Sequence, residues 1–105
     1  MDLTSLEERW AVWGVQARNF AKRQNFTDAV ARMKLIQRSI SDTLAEVADP
    51  RQQAKLEGLL AHANEQLAAL QAEYDAWRSE IAARRRHTID SAEEEMARPL
   101  PVQAD

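Results

Sequence analysis

The residues suited to chemistry in this 105-residue chain are few and scattered. His62 and His87 are the only imidazoles, and neither stands in a His-Glu-x-x-His or Glu-x-x-His spacing, so a zinc or di-iron site lacks its donors. Cysteine is absent, which removes disulfides, thiolate metal sites and a cysteine nucleophile. No glycine-rich loop opens a helix to cradle phosphate, and no serine has a plausible histidine and aspartate constellation. No enzyme activity, cofactor or metal is expected.

Arg84, Arg85, Arg86 and His87 form the one basic run. Three cations in the last turn of a helix suit the negative end of its dipole, and this structural role is the expectation. Read as a nucleic-acid contact, the run would need more basic charge along a face, and Glu93, Glu94 and Glu95 nearby would repel phosphate. The formal net charge of -3 gives no broad positive field, so nucleic acid is not the expected partner. The Trp10 and Trp13 pair could line a pocket, but aromatics at this spacing on an apolar stripe read first as core.

These side chains must be placed by helices. Ala, Leu, Glu, Gln and Arg recur throughout, with two glycines and three prolines, and a sheet of any size is not expected. No stretch approaches the ~20 apolar residues of a membrane span, and the acidic start does not read as a signal peptide. The expectation is a soluble, cytoplasmic, non-membrane protein.

Thr4 and Ser5 precede Glu7 and Glu8 by three residues, the reciprocal capping pattern of a helix start near residue 5. Leu6, Trp10, Trp13, Ala17 and Phe20 form the stripe of a first helix over about 5–23, with Gly14 inside it as either a site of close packing or tolerated noise. A turn follows at Gln24 to Thr27, where Asn25 suits a left-handed backbone and either Asn25 or Thr27 suits the next cap. A second helix over 27–47 carries Phe26, Val30, Met33, Ile40, Leu44 and Val47, widened by Ala29 and Ile36, with Gln37 in the one polar slot. Asp49 and Pro50, with Gln52 three residues after the cap, mark a tight reversal.

The third helix, over 50–87, keeps Leu56, Leu60, Ala63, Leu67, Leu70, Tyr74, Trp77 and Ile81 at alternating spacings of four and three, a coiled-coil seam. The fold class expected is all-α: an antiparallel three-helix, up-down-up, coiled-coil-like bundle domain over 1–87. Residues 88–105 read as a flexible tail with a short helix at 91–97, ended by Pro99 and Pro101.

At 1.5 Å per residue the first two helices are roughly 25 to 30 Å long and the third roughly 55 Å. Phe26 then falls level with a residue in the low seventies. The distal seam lacks an intrachain partner, so Leu70, Tyr74, Trp77 and Ile81 are the candidate protein-binding residues. The expected cover is a second copy, giving a homodimer through the distal third helix, and/or a partner protein helix; the 88–97 segment folding back through Ile89 and Met96 is the alternative. Tyr and Trp on such a stripe are common hot-spot residues.

Trp13, Ala17, Phe20, Phe26, Ala29 and Met33 resemble a tetratricopeptide helical hairpin, with Ala17 and Gln24 where that family has glycines and with no second repeat. In size, acidity and helix layout the whole chain resembles the small export chaperones of flagellar and type III secretion systems, the FliT and FlgN kind. That resemblance implies cytoplasmic binding of secretion substrates through an apolar helical groove. The function expected is a non-enzymatic helical adaptor or chaperone. The alternatives are a purely structural coiled-coil homo-oligomer and a nucleic-acid-associated dimer acting through Arg84 to Arg86.

Overall fold

The computed structural model describes residues 1–97, without the side chains of Ser91 and residues 94–97. Three helices follow in order: α1 (Thr4–Lys22), α2 (Phe26–Glu46) and α3 (Pro50–Ala97). Met1–Tyr74 forms one compact unit, and the described residues from Asp75 onward belong to a second.

Within Met1–Tyr74 the helices run up, down and up. Three pairs fix the antiparallel register of α2 on α3. At the reversal, the Gln53 side chain donates to the Val47 carbonyl at 2.8 Å; midway, Gln37 Nε2 donates to Asn64 Oδ1 at 2.5 Å. At the far end the rings of Phe26 and Tyr74 stack with centroids 5.5 Å apart and planes 22° from parallel. Position 74 is the low-seventies level that helix geometry assigns to Phe26. Trp10 Nε1 donates to Ser39 Oγ at 2.8 Å, tying α1 to α2, and Lys55 Nζ lies 2.5 Å from Glu7 Oε1, tying α3 to α1.

The core of α2 is Phe26, Ala29, Met33, Ile36, Ile40 and Thr43, an unbroken three and four alternation that Val47 extends just past the helix end. Thr43 is the member that hydropathy misses. Its hydroxyl donates to the Ser39 carbonyl at 2.8 Å, so the group is satisfied inside its own helix and its methyl is free to pack. Val30 and Leu44, expected in the core stripe, are half-buried at its margin. Leu56, Ala63, Leu67 and Leu70 of α3, Trp10 and Ala17 of α1 and Leu3 just before α1 complete the interior.

The helix ends correct four local expectations. At the start of α1 the Asp2 carboxylate, not Thr4 or Ser5, accepts the Thr4 backbone N–H at 2.9 Å, because the helix begins one residue earlier than the capping box would place it. That hydrogen bond holds the Asp2 carboxyl below its ordinary pKa of 3.8. Asn25 does cap α2, accepting from the Asp28 N–H at 3.4 Å, but its φ is -88°. The left-handed residue is Gln24, with φ 61°.

Gln24 N–H bonds to the Ala21 carbonyl and Asn25 N–H to the Phe20 carbonyl, both at 2.9 Å, which is the paired closure of a helix whose following residue must turn left-handed. Glutamine pays a steric cost of about 1–2 kcal/mol there that glycine does not. After glycine's larger unfolded-state entropy is subtracted, Gln24→Gly is expected to stabilise the chain by about 0.5–1 kcal/mol, a rise of a few degrees in Tm. A lower Tm by circular dichroism would refute this account of the turn.

At the second reversal Asp49 Oδ1 accepts from the Arg51 N–H at 3.1 Å, as a capping aspartate should. Gln52, however, does not reach back to the cap; its amide donates to the Met1 carbonyl. The largest difference is the end of α3. The expected stop at His87 and separate short helix at 91–97 are replaced by one helix through Ala97. Residues 88–97 contain neither glycine nor proline, and the Thr88 hydroxyl donates to the Arg84 carbonyl at 2.9 Å, a bond compatible with helix continuation. Residues 98–105, the rest of the expected tail, lie outside the described residues.

Candidate functional site

The structure separates the four expected binding residues into two pairs. Leu70 is buried within Met1–Tyr74, and Tyr74 is half-buried with its ring against Phe26. Both are occupied by the bundle's own core, because the Phe26 end of α2 reaches their level. Trp77 and Ile81 belong to the second unit, where both are half-buried while every residue from Ala82 to Asp90 is exposed.

Ile81 borders a shallow depression of about 330 Å³ with Arg84, Arg85, Thr88 and Ile89. Ile89, exposed at 56%, lies eight residues beyond Ile81, about 80° further around the helix, on the flank of the seam. Eight-residue spacing was the available signal for it; the strict seam pattern passes over it because positions 84 and 88 hold arginine and threonine.

Arg84 bonds to Glu80 at 2.5 Å, an i,i+4 pair in which both side chains are largely exposed. An exposed pair of this kind contributes only a few tenths of a kcal/mol and mainly holds the guanidinium along its own helix. Since α3 continues to Ala97, Arg84 to Arg86 do not occupy its last turn, and compensation of the helix dipole is not their role. Successive helical residues also point about 100° apart, so the three guanidiniums do not share one face.

Met1–Tyr74 carries a second concavity. Grooves of about 390 and 440 Å³ border α1 and α3, share Gly14, Arg18 and Gln66, and are floored by Met33, Ile36 and Ile40 of α2. Their small lining residues, Gly14, Ala17, Ala21 and Ala69, leave the space open. Trp10 is core, whereas Trp13 is half-buried with the Arg9 guanidinium 6.0 Å from its ring centroid. His62 and His87 are exposed, and among the described residues no group of three or more His, Cys, Asp or Glu is placed to hold a metal ion. No helix among the described residues is long and apolar enough to cross a membrane.

The chain is a small all-helical protein whose layout is compatible with the secretion chaperones it resembles. Comparison with protein-family models, curated proteins and solved structures finds no match.

Proposed function

We propose that the chain is a non-enzymatic helical adaptor or chaperone that receives a partner helix along Trp77, Ile81 and Ile89. One observation carries this reading. Among its described residues the second unit consists of a single continuous helix with an aromatic and an isoleucine one turn apart, a second isoleucine about two turns further on their flank, and a solvated remainder. A lone helix gains little stability from its own backbone and buries an apolar stripe only against another element. Trp and Ile on such a face are suited to helix-in-groove or helix-on-helix recognition. Leu70 and Tyr74 act one step back, anchoring the helix in the bundle. In the secretion-chaperone version of this reading, the partner is the helical segment of an export substrate.

A photoreactive benzophenone amino acid at position 81, in the full chain, tests this in the cells that make it. A discrete adduct with another protein is expected. Trp77→Glu is expected to weaken that protein's binding by about 30-fold, the ~2 kcal/mol of a hot-spot residue, with unchanged helicity. Adducts formed solely with a second copy of the chain would favour the structural homo-oligomer. A binding constant unaffected by Trp77→Glu would remove the stripe from the reading.

A further inference from the structure

Helix α1 has a second face. Its inner side buries Trp10 and Ala17, while Glu8, Ala11, Val15 and Arg18 follow one another outside at spacings of three and four, all exposed. Val12 stands beside them. Val12 and Val15 are 55% and 47% exposed, two β-branched apolar side chains one turn apart on a surface helix. Gly14 lies at the margin of the same stripe, and a Cβ built on it would meet nothing within 4 Å. A glycine in a helix interior costs about 1 kcal/mol relative to alanine, and no neighbour in its own chain requires one here. The stripe is also charged asymmetrically, with acid at Glu8 and base at Arg18. Neither makes an ion pair among the described residues.

We propose that this stripe is a self-association surface on which α1 packs antiparallel against α1 of a second copy. With the two-fold axis level with residue 13 along the helix, Ala11 lies opposite the partner's Val15 and Glu8 opposite the partner's Arg18. Each of these contacts occurs twice by symmetry. The small side chain of Ala11 lets the helices approach closely enough for Val15 to be covered, with Val12 on the flank of the contact. Charge selects both the occupant and the direction. Reversed upon itself, the stripe sets acid against base at both ends; parallel pairing would set Glu8 on Glu8 and Arg18 on Arg18, which is repulsive. A foreign helix would require no such match of the stripe with its own reverse. This surface is independent of Trp77 and Ile81.

The test is sedimentation equilibrium at low ionic strength across a wide concentration range for the full chain, Glu8→Arg, Arg18→Glu and the double variant. The full chain is expected to dimerise reversibly. Each single exchange makes two like-charge contacts per dimer and weakens association at least about tenfold, and the double variant recovers most of it. Trp77→Glu leaves the α1 association unchanged, which separates this surface from the α3 stripe.

A chain that stays monomeric throughout overturns the proposal. So do single variants that associate as well as the parent, or a double variant no better than either single. Because the chain has no cysteine, pairing gives a second readout. Ala11→Cys and Val15→Cys proteins, mixed under mild oxidation, should form the mixed disulfide in preference to either homodimer. A preference for the homodimers would exclude the antiparallel register.

Discussion

Leu56→Ala is expected to lower the unfolding free energy by about 3–5 kcal/mol. Leu56 has no exposed surface and stands at the seventh position of α3, close to the reversal that joins it to α2. Removing its three distal carbons forfeits their transfer energy and leaves a cavity that rigid neighbouring helices fill only in part. Small domains hold about 5–15 kcal/mol in total, so the variant should be close to unfolding at room temperature. Leu60→Ala is the internal comparison. Leu60 is on the same seam but half-buried, and its loss should cost about half as much. Urea unfolding followed by circular dichroism gives both values, and equal costs would mean that burial along α3 does not follow the seam described above.

Trp10→Ala carries an effect of similar size, about 3–5 kcal/mol, through two separable losses. One is the burial of the largest side chain of the α1 interior; the other is the 2.8 Å hydrogen bond from the indole N–H to Ser39 Oγ. Trp10→Phe keeps most of the first and deletes the second, so it should cost about 1–2 kcal/mol. A double-mutant cycle with Ser39→Ala isolates the bond, because the Thr43 hydroxyl bonds to the Ser39 carbonyl and not to its side chain. A coupling energy of about 1 kcal/mol is expected. Purely additive costs would show that Trp10 contributes by packing alone.

The seam residues were legible because a helix repeats its faces every three or four positions, and an apolar stripe at that spacing has no other efficient arrangement. The reversal at Asp49 and Pro50 was legible for a similar local reason, as was the level at which Phe26 meets α3. Local competition was harder to read. Thr4, Ser5 and Asp2 could each serve at the first helix, and Gln24 and Asn25 could each turn left-handed. Such choices differ by about 1 kcal/mol and are settled by where the flanking helices must point. The candidate site was read only in part. Leu70 and Tyr74 shared a pattern with Trp77 and Ile81, and spacing alone does not say where one helix stops covering another.

The sequence by itself determined that the chain is helical, that two reversals divide it, and which residues form the seams. Each of these follows from periodicity and from backbone chemistry within a few residues. Only the tertiary structure decided that Thr43 belongs to the core and that Tyr74 is taken up by Phe26. It also showed that the α1 side of Gly14 is open and that α3 runs unbroken past the arginines. These outcomes depend on distances between residues far apart in the chain, or on the balance of many small helical preferences, which no single local pattern records.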